Sequence, residues 1–262
     1  MRILLTNDDG YTAPGLLALK QAVSEVGVVL VLAPEHNFSA SGHVKTMHKP
    51  LRIGEVKLAD DSLAYTASGA PSDCVALALL GALDFKPDLV ISGINPNHNL
   101  GHDVTYSGTV TAAMEGTIGG VPSIAVSVDS DAAYPTAARF AARLAVTVLE
   151  KGLPRDVVLN VNVPAPPIRG AYITRMGKRL YRDELIVRHD PRGRPYYWIG
   201  GDRPSGIPDA GTDIWAVQNG YISVTPIQLD MTGHAWIEPL RAWNLVADSS
   251  PEKLPQNNSD QT

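Results

Sequence analysis

The sequence predicts an α/β fold: a Rossmann-like, mostly parallel sheet flanked by helices, with an irregular C-terminal extension used for oligomerisation. Three observations carry this reading. Short apolar runs alternate with helical patterns through about residue 167, as in chains of βαβ units. The runs are continuous, Ile3–Leu5 and Val28–Ala33 for example, which suits strands covered on both faces. Beyond Pro167 the regular alternation ends and charges, Gly and Pro increase; such an extension often makes subunit contacts, and a local antiparallel subdomain is the plainer reading.

Ile3–Leu5 reads as the first strand, and Pro14-Gly15-Leu16-Leu17 opens a helical pattern. Val28–Ala33 is a buried parallel strand ending at Pro34. Leu51–Ile53 and Leu63–Thr66 suggest a small strand pair outside the main sheet. Ser72 or Asp73 opens an Ala- and Leu-rich helix over Cys74–Leu83. Asp88–Ser92 is a strand entering a turn at Gly93, and Ser107-Gly108-Thr109 precedes a helix over Val110–Gly116. Pro122–Val128 is a strand, Ala137–Leu149 an amphipathic helix, and Val157–Val163 the closing strand. In the extension, Tyr196–Ile199 and Tyr221–Ile227 look like isolated strands. The whole is one domain: a core over about 1–167, an extension and arm over about 168–247, and a polar, disordered tail from Asp248 to Thr262.

At 262 residues the chain fits one large domain. No stretch reaches the roughly 18–20 apolar residues of a membrane helix, and the N-terminus lacks signal-peptide features. A single cysteine, Cys74, precludes an intrachain disulfide and suits a reducing compartment, so a cytoplasmic protein is expected. Net charge is −5 without a basic run, which argues against a stable nucleic-acid complex. An acidic chain can still bind a phosphorylated small molecule through a metal, backbone amides and helix termini.

The informative segment is Asn7-Asp8-Asp9-Gly10, a polar loop that follows the first strand. Ligands of open α/β sheets bind beyond the carboxyl ends of such strands. Two further loops follow predicted strands: Asn37-Phe38-Ser39-Ala40-Ser41-Gly42 and Gly93 through Gly101, which carries Asn95, Asn97, His98 and Asn99. If the three strands are parallel, the loops gather at one edge. They bring two carboxylates, a hydroxyl and amide oxygens, an oxygen-only set suited to one Mg²⁺ or Mn²⁺. Each loop taken alone also reads as an ordinary turn.

Ser107 is a good N-cap, and Gly108 lets another group approach the first helical turn. Simple capping explains this, but a helix N-terminus also receives anions. His36, His43, His98 and His102 lie in or near the loops, where one can serve as an acid–base group or all can be surface residues. Tyr106, Trp198 and Tyr221 read as packing residues or as walls of a nucleoside pocket, and Cys74 as core.

With these loops assembled, the sequence resembles the SurE family of survival-protein nucleotidases. The resemblance rests on Arg2-Ile3-Leu4-Leu5-Thr6-Asn7-Asp8-Asp9-Gly10, Ala33-Pro34 followed by Ser39, and Gly69-Ala70-Pro71-Ser72-Asp73. It continues with Ser92-Gly93-Ile94-Asn95, Asn99-Leu100-Gly101 and Tyr106-Ser107-Gly108-Thr109-Val110. Asn160-Val161-Asn162-Val163-Pro164, Asp190-Pro191-Arg192-Gly193, Gly211-Thr212-Asp213 and Gly220-Tyr221-Ile222-Ser223 extend it through most of the chain.

The resemblance implies a metal-dependent phosphomonoesterase acting on nucleoside 5′- and 3′-monophosphates, and dimers or tetramers built by exchange of C-terminal arms. It places the metal on Asp8, Asp9, Ser39 and Asn95, makes Asp8 and Asp9 catalytic, and gives the substrate to Asn95, Ser107, Gly108 and Thr109. Asn97, His98, His102, His36 and Thr111 depart from the family's usual pattern, which bears on pocket shape and base preference. Two other readings use the same loops. An aspartyl-phosphate phosphatase commonly needs a second acid two residues after the first, where Gly10 stands; a nucleotide-binding module would have no turnover. A dinucleotide oxidoreductase is disfavoured because no G-x-G-x-x-G follows the first strand.

Overall fold

The computed structural model describes residues 1–181, 183–201 and 205–243; the expected tail from Asp248 to Thr262 lies outside the described residues. The chain divides into two units, Met1–Leu229 and Asp230–Thr262.

The first unit is built on a sheet whose centre is β1 (Arg2–Thr6). On one side of it lies β2 (Val28–Pro34), then the antiparallel pair β3 (Ile53–Lys57) and β4 (Leu63–Ala67). On the other side follow β5 (Leu89–Asn95), β6 (Ser123–Val128) and β7 (Val157–Val163). From β4 through β7 neighbouring strands are parallel, with Leu5 paired to both Val31 and Ile91. Because the chain goes from β1 to β2 on one side and later to β5 on the other, the strand order reverses beside β1. That reversal opens a crevice at the carboxyl ends of β1 and β5.

Strand residues alternate between faces. Ile3 and Leu5 join one apolar cluster with α1 (Pro14–Val23) and α4 (Tyr134–Lys151), while Leu4 joins another with α2 (Pro71–Leu79) and α3 (Gly108–Ile118). Both faces of β1 are therefore dry, which is why its sequence is apolar without interruption. Pro14 occupies the first turn of α1, where its missing N–H costs no hydrogen bond. Leu16, Leu19 and Val23 then form the buried stripe.

Several expectations are corrected. The β3–β4 pair is not outside the main sheet: β4 pairs with β2 through Leu32–Tyr65, Ala33–Thr66 and Pro34–Ala67. The second helix starts at Pro71, and the Asp73 carboxylate accepts from the Ala70 N–H at 2.8 Å, closing the helix start from inside. Gly93 is no turn. The strand β5 runs through it to Asn95, with φ of 141° at Gly93, and a Cβ there would meet the Val126 carbonyl oxygen at 2.4 Å.

The extension also differs from its reading. After β8 (Gly170–Ile173) come β9 (Lys178–Leu180), β10 (Asp183–His189), β11 (Pro195–Gly201) and β12 (Ser205–Ile207). Tyr196–Ile199 is not isolated, because β10 and β11 form an antiparallel hairpin. After α5 (Asp213–Gln218), Tyr221–Ile227 forms β13 (Tyr221–Gln228), which lies between β7 and β8 in the main sheet. Its polar Ser223 and Thr225 are buried because the Thr174 hydroxyl meets both, at 2.8 and 2.7 Å. The second unit contributes α6 (His234–Arg241).

Candidate active site

The first loop is built to hold its acids just past the end of β1. The Asn7 side-chain amide donates to the Gly10 carbonyl at 2.9 Å and closes the turn. Gly10 has φ of 94°, and a Cβ there would crowd the Pro34 carbonyl oxygen at 3.3 Å. The second loop is laced to the first. The Phe38 N–H donates to the Asp8 carbonyl at 2.7 Å, Asn37 Nδ2 to Asp9 Oδ1 at 3.3 Å, and the Ser39 N–H to Asn37 Oδ1 at 2.7 Å.

The third loop begins at Asn95, the last residue of β5, whose amide donates to the Asn97 carbonyl at 2.5 Å. It is pinned at Asn99 by the two asparagines of β7. The Asn99 N–H donates to Asn162 Oδ1 at 2.8 Å, and the Asn99 carbonyl accepts from Asn160 Nδ2 at 2.8 Å and Asn162 Nδ2 at 3.1 Å. The Asn99 amide in turn donates to Ser127 Oγ on β6.

These loops and the start of α3 enclose a cavity of about 240 Å³ whose lining includes Asp8, Ser39, Asn95, His98, Tyr106 and Ser107. Four of the predicted site residues, one from each loop and one from the helix cap, thus meet in one space. The other three, Asp9, Gly108 and Thr109, are not on its lining but adjoin Asp8, which is. Gly108 presses so closely on Asp8 that a Cβ would sit 2.7 Å from the Asp8 Cβ. Thr109, fully buried, donates from Oγ1 to Asp8 Oδ1 at 2.5 Å and also reaches that carboxylate with its backbone N–H. Ser107 caps α3 by accepting from the Val110 N–H at 3.1 Å. Asp9 borders the cavity-lining Asp8 and is tied to Asn37.

Both acids resist ionisation. Burial pushes the Asp8 carboxyl above the usual carboxylate range, against the lowering effect of the Thr109 hydrogen bonds. Burial, then the Asp8 charge, pushes Asp9 up to about 6. Asp9 Oδ2 and Asn7 Oδ1 are buried without a hydrogen-bond partner. Such a site favours a bound cation, and its donors are hard oxygens. Among the described residues no group of three or more His, Cys, Asp or Glu side chains gathers to hold a metal. The side-chain oxygens of Asp8, Asp9, Ser39 and Asn95 are hard donors, of the kind that Mg²⁺ and Mn²⁺ take.

The histidines separate clearly. His98 lines the cavity with Nε2 3.0 Å from the Val163 carbonyl oxygen, and burial lowers its pKa from the ordinary histidine value. His43 pairs with Glu115 on α3 at 2.9 Å, and His36 and His102 are exposed. Tyr221 packs against Tyr172 and Trp215, whereas Tyr106 is 62% exposed at the cavity. Sequence reasoning missed Asn160 and Asn162 as supports of the third loop. Their signal was two asparagines at spacing two, on one face of an apolar strand. It also missed Asp103, on the cavity wall, which accepts from Arg179 Nε and the Tyr181 hydroxyl at 2.6 Å each.

A doubly wound sheet with an acidic, oxygen-lined crevice at its switch point, set against a helix N-terminus, makes this an α/β protein whose candidate ligand site lies at the carboxyl ends of the strands. The particular family follows from comparison. The profile described as Survival protein SurE matches residues 3–183, and the chain belongs to the SurE family. It is 55% identical over 255 residues to the 5′-nucleotidase SurE of Herpetosiphon aurantiacus, covering 93% of this chain and 99% of that one. It is 52% identical to the 5′-nucleotidase SurE of Chloroflexus aggregans, with the same coverage. The crystal structure of the Sure protein from Aquifex aeolicus is similar in fold, with a TM-score of 0.79 and 40% identity over 93% of this chain and 99% of that one.

Proposed function

We infer that the chain hydrolyses nucleoside 5′- and 3′-monophosphates to nucleoside and phosphate, assisted by one divalent cation, Mg²⁺ or Mn²⁺. The reaction class follows from the relatives: a chain so similar to proteins named 5′-nucleotidase, over nearly its whole length, is a 5′-nucleotidase. The one observation that carries the site is the packing of Asp8 against Gly108 and Thr109, which joins the acid pair to the N-terminus of α3.

Asp8, Asp9, Ser39 and Asn95 would hold the cation. Its chemistry would be to offset charge on the phosphoryl oxygens and to make a nearby water more acidic. The Ser107 hydroxyl and the Gly108 N–H at the start of α3 receive the phosphate oxygens, where the helix end favours an anion; the next two N–H groups are already taken, Thr109 by Asp8 and Val110 by Ser107 Oγ. The Thr109 hydroxyl is committed to Asp8, so its part is to aim that carboxylate. Asp8 Oδ1 is held by Thr109 and Asp9 Oδ1 by Asn37, while Asp9 Oδ2 is buried without a hydrogen-bond partner. A carboxylate oxygen of this pair takes a proton from the water as its oxygen bonds to phosphorus; the P–O bond to the sugar breaks, and that proton passes to the departing sugar oxygen, so that nucleoside and inorganic phosphate are released.

The extension supports an oligomer. The β10–β11 hairpin exposes Leu185, Tyr197, Trp198 and Ile199, a concentration of apolar surface that a second subunit would cover. A homodimer or homotetramer through the C-terminal arms is the proposed assembly. Among the described residues no helix is long and apolar enough to cross a membrane. The proposed setting is the cytoplasm, with buried, unpaired Cys74 in keeping with it.

The test is phosphate release from a panel of 5′- and 3′-nucleoside monophosphates by chelator-treated protein, with and without added Mg²⁺ or Mn²⁺. Release restored by a divalent cation is the expected result. Equal release in excess chelator would overturn the cation assignment.

A further inference from the structure

One wall of the cavity is explained by neither the acids nor the helix terminus. His98 stands on it, immediately before Asn99, whose backbone and side chain are held by β6 and β7. The imidazole is thus delivered from a fixed backbone. Its Nε2 lies 3.0 Å from the Val163 carbonyl oxygen. A carbonyl only accepts, so Nε2 carries the proton and Nδ1 of the neutral ring keeps a lone pair. Burial disfavours the imidazolium, so the neutral ring is the form a ligand meets near neutral pH.

A lone pair calls for a donor. A phosphate dianion has none to give, whereas the sugar of a ribonucleotide carries hydroxyls. His98 shares a cavity of only about 240 Å³ with Asp8 and Ser107, so the part of the ligand it meets is the part next to the phosphate. Tyr106, exposed on the same lining, offers its ring face to the base, which sequence-tolerant stacking would use.

We propose that His98 reads the sugar: Nδ1 accepts a hydrogen bond from a ribose hydroxyl and sets a preference for ribonucleotides over deoxyribonucleotides. This rests on the nucleotidase reading above.

The experiment compares kcat/KM for 5′-AMP, 2′-deoxy-5′-AMP and 3′-deoxy-5′-AMP in wild type, His98→Ala and His98→Gln, with p-nitrophenyl phosphate as a substrate without a sugar. Wild type should favour 5′-AMP over one deoxy analogue by about tenfold, the worth of one hydrogen bond. His98→Ala should bring that ratio close to one, and His98→Gln, whose Oε1 also accepts, should keep part of it. A merely structural role would lower all rates and leave the ratio standing. No discrimination in wild type, or a ratio unchanged in His98→Ala, overturns the proposal. Turnover of p-nitrophenyl phosphate without any nucleotide turnover would instead overturn the nucleotidase reading, and this proposal with it.

Discussion

Replacing Gly108 by alanine separates the site's geometry from the protein's stability. The new Cβ would lie 2.7 Å from the Asp8 Cβ and 3.0 Å from its Oδ2. Carbon atoms rest at about 3.5–4.0 Å, so Asp8 must retreat by about 1 Å. Gly108 opens α3 without a left-handed φ, and alanine there gains up to about 1 kcal/mol of helix propensity. Crowding against Asp8 costs about 1–3 kcal/mol, so the net loss of stability stays within about 3 kcal/mol. A misplacement of about 1 Å at a reacting centre, by contrast, costs about 10²-fold in rate. Phosphate release from 5′-AMP, measured beside thermal unfolding followed by circular dichroism, reads both quantities. The expected result is a rate about a hundredfold lower in a protein that still unfolds cooperatively near the wild-type temperature. A Gly108→Ala variant with more than half the wild-type rate would refute the claim that the helix terminus sets the position of Asp8.

Asp9→Asn tests the charge excess. The Asp9 carboxyl titrates near 6 in the fold against 3.8 in an open chain, so the folded state holds the extra proton between these values. Metal-free stability therefore falls as pH rises through that window, and above it the variant should melt higher than wild type, the gap closing toward about pH 4. The variant should also lose the rise in Tm that Mn²⁺ gives wild type; equal metal-free melting at both pH extremes would contradict the reading. Thr109→Val removes the 2.5 Å hydrogen bond to Asp8 at nearly constant shape, and should lower kcat by about tenfold or more, the value of a bond to a charged group. Unchanged kcat would show that Asp8 needs no such support. Ile199→Asp places a charge on a side chain that is 82% exposed in the single chain, and should reduce the assembly to monomer in light scattering. A stable dimer of wild-type size would place the interface elsewhere.

Much of the fold was legible because strands buried on both faces must be apolar throughout. The expected strand Val157–Val163 coincides residue for residue with β7, and the polar loops stand directly after the apolar runs of β1, β2 and β5. Legibility ended where tertiary contacts override local signals. Gly93 looks like a turn, but lies inside β5 because the Val126 backbone leaves no room for a side chain. Tyr221–Ile227 looks isolated because its hydroxyl-bearing residues are polar, yet Thr174 satisfies them inside the main sheet. At the site, Asp8, Ser39, Asn95 and Ser107 converge on one cavity. The roles of Thr109, Asn160 and Asn162 were not visible, since a hydrogen bond spanning 101 residues, or one spanning 61, leaves no local periodicity.

The central claim is that Asp8 and Asp9 hold a cation that the reaction needs. Mn²⁺ binding by calorimetry and phosphate release from 5′-AMP, measured together on wild type and Asp8→Asn, test it most directly. Wild type should bind one Mn²⁺ per chain and turn over, while folded Asp8→Asn should lose most of both. A folded Asp8→Asn protein that keeps full metal-dependent activity would contradict the account.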